Sequence, residues 1–334
     1  MRRVLVLGVL FAAACSDALE QSSSAGQYVG FVTGQNSLLL LAATDLTLTV
    51  VQLPGSAQRL AGRGSVFLAS LGTSQVAVVD LTQNPASARA IGLSVPSGAA
   101  SVVDAVMADD SIAWVALLQP YAARVNYRTG LVSMVFLGGG RVGTPVAVAV
   151  TAGLVFVAQN AGATSPSFLT VVNPVTKVVI DTVVLTPAQA RLAVVGDDSL
   201  LYIVTSRALN DSGRVSVVDP VARQELAVIN GLGTFPWQAL FHPAGSRLLV
   251  GSPYSGIQEV NAITKTLIRP PSEAVRPGGH SVLGLAIDQG GMIYAADSSC
   301  AIDILEPPPD YSVRRVVPVP GVLCPTYGAV ATRP

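Results

Sequence analysis

The chain has 334 residues, of which 50% are hydrophobic and only 12% charged, with 31 Gly and 22 Pro. So apolar a composition is the opposite of a disordered chain, and so many turn residues exclude a protein built of long helices. The 20 Lys and Arg balance the 20 Asp and Glu, which removes the electrostatic basis for binding nucleic acid or an anionic membrane surface.

The first residues stand apart from the rest. "MRR" supplies positive charge, and "VLVLGVLFAAA" (Val4 to Ala14) is an apolar core too short to span a bilayer. Residues 1–14 therefore read as a signal peptide. Small residues directly before Cys15 resemble the lipobox of bacterial lipoproteins, which implies that Cys15 is lipidated and becomes the mature N-terminus. Ala12 stands where that pattern usually has Leu, and an ordinary cleaved signal ending at Ala14 is the alternative. Residues 15–27, from "CSDALEQSSSAGQ", have the small polar composition of a flexible tether. With Ser16 after the cysteine, the expected address is the outer membrane of a cell envelope, with a periplasmic or secreted protein as the other reading.

From residue 28 onward the chain repeats one phrase. "YVGFV", "SLLLLAA" and "LTLTVVQL" come first, three strand-like runs without a fourth. Six units follow, each marked by the residue that closes an apolar run: Asp80, Asn126, Asn173, Asp219, Asn261 and Asp303, at intervals of 46, 47, 46, 42 and 42 residues. Asp and Asn suit that place because their side chains bond the backbone two residues on and tolerate unusual dihedrals. After each marker come a turn and another apolar run. Before each marker lies a pair of runs around a small-residue turn, as in "ARLAVVGDDSLLYIVT" and "LGLAIDQGGMIYAAD". Val dominates these runs, and its branched side chain packs well on a pleated surface.

Four short strands in 40 to 50 residues is the size of one β-propeller blade. "FHPAGSRLLV" and "GRVSVVDPVARQELAVI" resemble the YVTN-type propeller repeat, although no blade carries that tetrapeptide literally. The resemblance covers residues 28 to 331 and implies a fold without implying a function. The terminal "PTYGAVATRP" reads as the strand that the N-terminal group lacks. The expectation is an all-β, seven-bladed propeller of four-stranded antiparallel blades over residues 28–334. Its ring is closed by the C-terminal strand joining the N-terminal blade, which removes an exposed sheet edge. Cys300 begins the third strand of the last blade and Cys324 follows its fourth, so the two sulfurs are expected to be neighbours and bonded in an exported protein. Two buried free thiols are the alternative.

Chemistry is sparse. His242 lies in the turn "FHPAG" and His280 in "RPGGHSV", and neither has a partner at metal-ligand spacing. No nucleophile elbow, P-loop or dinucleotide fingerprint occurs. "LGGGRVG" precedes a strand, so it has no helix dipole to hold phosphate. "ALNDSGR" lacks the spacing of a calcium loop. No catalytic residue, metal site or cofactor is assigned. The loops at one end of the channel carry Arg141, Arg191, Trp237, Tyr254, Arg276 and His280, which form the candidate binding face. Trp237 has packing between blades as its other reading.

The expected role is that of a monomeric cell-envelope lipoprotein, lipid-anchored, that binds a protein or glycan partner without catalysis. Propellers of lactonase-like or quinoprotein-like enzymes, or a non-catalytic subunit of an oxidoreductase complex, are alternatives that rest on fold analogy alone.

Overall fold

A computed structural model describes residues 26–332, apart from 97, 139–140, 163–164, 207–211 and 322. The leader, Cys15 and the tether up to residue 25 lie outside the described residues, as do parts of "LGGGRVG" and "ALNDSGR".

Seven antiparallel sheets of four strands stand in a ring, each sheet one blade. Blade 2 runs through Ala57–Arg63, Val66–Leu71, Gln75–Asp80 and Ala88–Gly92, from the innermost strand to the outermost. Blades 3, 4 and 5 begin with innermost strands Val102–Met107, Thr144–Thr151 and Ala190–Val195. Blades 6 and 7 begin with Gln238–Phe241 and Val282–Ile287. Blade 1 is the composite expected from the sequence. Gln27–Thr33, Ser37–Ala42 and Leu48–Gln52 are its second, third and outermost strands, and Pro325–Thr332 is its innermost. Gln27 pairs with Thr332 and Thr33 with Pro325, so the two ends of the chain zip together along a whole strand.

Why the middle strands carry unbroken apolar runs follows from this geometry. Each sheet is covered on both faces by its neighbours, so alternation is lost. Val66–Leu71 and Ile112–Leu117 are buried at every residue. The outermost strands face water and alternate, as in Val178–Val184. Among the described residues the core divides into seven apolar clusters, one between each pair of neighbouring blades.

Five of the six sequence markers close their third strands as read. The side-chain oxygens of Asp80, Asn126, Asn173, Asp219 and Asn261 accept backbone N–H bonds two or three residues on, at 2.8–3.1 Å. Asp303 is the exception. The third strand of blade 7 is Ala301–Leu305, and it ends at Leu305, opposite Ile293. Asp303 lies two residues earlier, buried inside the strand. The Pro-rich turn after Glu306 replaces the Asx turn and removes the signal that fixed the register elsewhere.

The ring has two faces. One carries the connections between blades and the turns between second and third strands. The other carries the hairpin turns between first and second, and third and fourth, strands. Both Gln27 and Thr332 end on the hairpin face, where the Thr332 N–H bonds the carbonyl of the turn residue Gly64 at 2.6 Å.

Ring closure demands close backbone contact. A Cβ on Gly62 would run into the Val330 carbonyl, and one on Gly328 would lie 2.5 Å from the Leu285 carbonyl oxygen. Cys300 and Cys324 stand at disulfide distance with Cα atoms 4.3 Å apart, tying the second-to-third turn of blade 7 to the entry of the closing strand. Gly328→Ala should lower the unfolding free energy by about 2–3 kcal/mol in urea titrations. Gly92→Ala, whose Cβ meets nothing within 4 Å, should change it by less than about 0.5 kcal/mol. Replacing Cys300 and Cys324 together by Ser should cost about 3 kcal/mol, the value for a loop of this length, read in the same titrations.

Candidate functional site

One structural device recurs at the connection face. In each innermost strand the pairing register slips by one residue near its start, leaving an extra residue opposite the second strand. These residues are Tyr327, Gln58, Val103, Val146, Arg191 and Leu283 in blades 1, 2, 3, 4, 5 and 7. In blade 6 the strand opens with Gln238 opposite Gly251, and the Trp237 N–H also bonds the Gly251 carbonyl at 2.8 Å. Trp237 therefore holds the same place. A β-bulge bends the strand and re-aims the extra side chain. Six of the seven residues so placed, all but Leu283, line a cavity of about 520 Å³ at the mouth of the central channel.

Aromatic rings and guanidinium groups dominate one side of that mouth. Trp237 stacks on Tyr327, with centroids 5.0 Å apart, and on Phe235 at 5.3 Å. Arg59 lies over the Tyr327 ring at 4.2 Å and Arg191 over the Phe235 ring at 4.4 Å. Each of these two rings thus carries a cation on its face. Phe235 and Tyr327 hold φ angles of 53° and 35°, a region that costs bulky residues free energy and that gathers at ligand sites. For Phe235 the cost is compounded by Pro236, which disfavours helical-type backbone before it.

Neighbouring blades fix this arrangement. The Asn160 side chain accepts from the Ala190 N–H at 2.9 Å and donates to the Ala190 carbonyl at 3.1 Å, clamping the residue before Arg191. Gln238 lies one layer deeper. It donates to the Gly328 carbonyl at 2.6 Å and accepts from the N–H groups of Leu285 and Gly328 at 2.8 and 3.1 Å. One side chain thereby stitches the innermost strands of blades 6, 7 and 1.

Among the described residues the lining includes two arginines and no carboxylate. Burial, and then the charge of Arg59, pull the Arg191 guanidinium below its usual range. Its Nε and the Trp237 Nε1 are buried without a hydrogen-bond partner. The acid nearest this pair is Asp104, the residue after the Val103 bulge, whose Oδ2 accepts from the Val148 N–H at 2.9 Å. Asp104 is half-buried. Burial pushes its carboxyl up to about 6, against the opposing pull of Arg59 and of the backbone N–H groups of Val148 and Ala105.

Of the residues expected at the binding face, Arg191 and Trp237 line the mouth. Trp237 also packs against the apolar cluster between blades 1 and 2, as its packing reading has it. Tyr254 borders the stack, edge-on to Phe235 at 6.1 Å, and its carbonyl accepts from Arg276 at 2.7 Å. Arg141 is exposed in the connection between blades 3 and 4, and His280 is exposed in the one between blades 6 and 7; neither lines the cavity. Arg59, Gln58, Phe235, Tyr327 and Asp104 were not singled out from the sequence. The one available signal was positional, their place in or beside the start of an innermost strand.

His242 is structural. Its Nδ1 accepts from the Ala244 N–H at 3.2 Å, which leaves Nε2 protonated to donate to the Gly291 carbonyl at 3.1 Å. Among the described residues, no three His, Cys, Asp or Glu side chains gather as a metal would require. A second polar group lies in blade 7. Asp297 accepts from the N–H groups of Ser299 and Ala301 at 2.9 and 3.0 Å, building the turn that bears Cys300. Asp303 faces it. Burial, and then the Asp297 charge, push Asp303 up to about 6, while His280 pulls the other way.

No protein-family model and no curated protein matches this chain. Among solved structures it is similar to hydrazine synthase of Kuenenia stuttgartiensis, with 12% identity and a TM-score of 0.59 over 75% of this chain and 76% of that one. A likeness at that identity concerns the propeller fold alone.

Asp303 yields a pH test. Its folded value of about 6 exceeds the ordinary carboxyl value of 3.8, so folding favours the protonated form. The stability it supports is complete below about pH 4 and is lost as pH rises through 6. Asp303→Asn should therefore stabilise the protein by roughly 1–2 kcal/mol at pH 8. The gain should shrink steadily as denaturation is repeated toward pH 4.

Proposed function

We propose that the protein is an exported, lipid-anchored propeller of the YVTN-repeat type that binds a protein or glycan of the cell envelope on its connection face, without chemistry of its own. The observation that carries this reading is the channel mouth. Five of the six bulge residues, joined by Trp237 of blade 6, line one cavity, and Tyr327 on that lining and Phe235 stacked beside it are held in costly backbone conformations. Aromatic residues and arginine are the types that dominate binding hot spots. Nothing at the mouth pairs a nucleophile with a base, so recognition fits the residues better than turnover does.

The path of the chain supports the anchor. Gln27 begins the second strand of blade 1 on the hairpin face, opposite the mouth. A lipid on Cys15 would tether the ring by that face, because Cys15 precedes Gln27 by twelve residues in the sequence. The mouth would then look away from the membrane. Ser16 after the cysteine favours the outer membrane as the site of attachment.

Membrane fractionation and co-purification from solubilised membranes test both halves of the proposal. Cys15→Ser should move the protein to the soluble fraction, and a variant still sedimenting with membranes would remove the anchor. Arg191→Ala together with Tyr254→Ala should reduce recovery of the co-purifying partner at least fivefold at unchanged thermal stability. Full recovery would move the docking surface to another face.

A further inference from the structure

We infer that the channel mouth holds a subsite for an oxyanion, a carboxylate or a phosphoryl group, bound between Arg59 and Arg191 with the Trp237 indole N–H as a third donor. In this subsite Asp104 is the built-in competitor for the same positive charge. The inference rests on the reading of the mouth as a docking site and names the chemistry that it would recognise.

Four observations support it. Arg59 and Arg191 both line the cavity and the Arg59 charge helps pull the Arg191 guanidinium down, yet among the described residues no carboxylate lines the cavity with them. Like charges brought together in a partly enclosed site cost free energy unless an anion joins them. Each guanidinium is held by stacking on a ring, with Arg59 on Tyr327 and Arg191 on Phe235. A stacked guanidinium keeps its N–H edge free and fixed in direction, the arrangement suited to a planar or tetrahedral oxyanion. The ring faces are occupied, because Trp237 lies between Tyr327 and Phe235. An apolar or sugar ring therefore has no open platform in the stack, and what the stack offers a ligand is edges and donors. Finally, Trp237 Nε1 and Arg191 Nε are buried donors without partners, a costly state that an acceptor supplied by a ligand relieves.

Asp104 makes the subsite pH-dependent. The groups that face it are Arg59 from the innermost strand of blade 2, the Val148 N–H from blade 4 and Tyr327 from blade 1, with Arg191 acting on the same mouth from blade 5. With Asp104 ionised, part of the arginine charge is already answered. Once Asp104 takes up a proton, that charge is free for the ligand. Anion affinity should therefore rise as pH falls through about 6.

Sulfate is the probe, because its charge is constant over this range. Binding to the full chain is followed by calorimetry and by tryptophan emission, where Trp114 is fully buried and Trp237 lines the mouth. Sulfate should bind five- to tenfold more tightly at pH 5.5 than at pH 8, about the effect of one nearby charge in a partly screened site. Asp104→Asn should bind sulfate at pH 8 as tightly as the unaltered protein does at pH 5.5, with the pH dependence gone. Arg191→Gln should weaken binding at least tenfold, and Arg191→Lys, which keeps the charge and loses the fork, should weaken it less. Acetate and methyl phosphate, titrated against sulfate at pH 8, tell a carboxylate site from a phosphoryl site. Failure of both to compete, or a sulfate affinity that neither pH nor Arg191→Gln alters in a folded protein, would overturn the subsite. Partner capture that survives loss of sulfate binding would overturn the subsite and leave the docking face intact. Sulfate binding by a chain that captures no partner would remove the docking face alone.

Discussion

Crowding at the axis governs this molecule. Seven innermost strands run side by side around the channel without a shared hydrogen-bond ladder, so their backbones must approach through small residues. Gly62 against Val330 and Gly328 against Leu285 are the places where no Cβ fits. Backbone groups that face the axis need partners from side chains, because buried N–H and C=O groups are expensive to leave bare. Gln238 answers that need for two neighbouring strands at once. The bulges belong to the same geometry. Each strand begins at the wide mouth and bends inward, and an extra residue takes up the bend.

Architecture and recognition are therefore joined at one ring of positions. The bulge occurs whatever its side chain is, and chemistry enters through the residue that occupies it. Blades 3 and 4 place Val103 and Val146 there and contribute a smooth apolar wall. Blades 1, 5 and 6 place Tyr327, Arg191 and Trp237, and Arg59 follows the bulge of blade 2. The mouth is thus asymmetric in a ring whose backbone is close to sevenfold. Its polar, aromatic side spans blades 5, 6, 1 and 2, and its plain side lies at blades 3 and 4.

The sequence displayed the ring well because propeller hairpins are local. Each marker at Asp80 through Asn261 caps its own turn within three residues, and such signals survive without knowledge of the fold. The composite blade was readable by counting strands, and the nearness of Cys300 to Cys324 followed from their places in a hairpin. Asp303 misled because it falls at the right interval while the strand around it runs two residues further. The mouth was only half visible. Arg191 and Trp237 were noticed as large residues near connections, but so was Arg141, which lies exposed away from the cavity. What separates them is the one-residue register slip, a property of how two strands pair. "QRLAG", which contains Arg59, reads as any amphipathic strand, and Tyr327 lies in a run recognised only for its role in closure.

The zipped termini have a consequence for biosynthesis. A ribosome makes Gln27–Thr33 early and its inner partner, Pro325–Thr332, only after the six other blades. Until then the first blade has a bare edge toward the axis, and the other six have no fixed curvature to complete. Nascent blades must wait as an open arc, and the final eight-residue strand converts that arc into a circle in one step. A chain interrupted before Pro325 would therefore carry six complete blades and no closed ring.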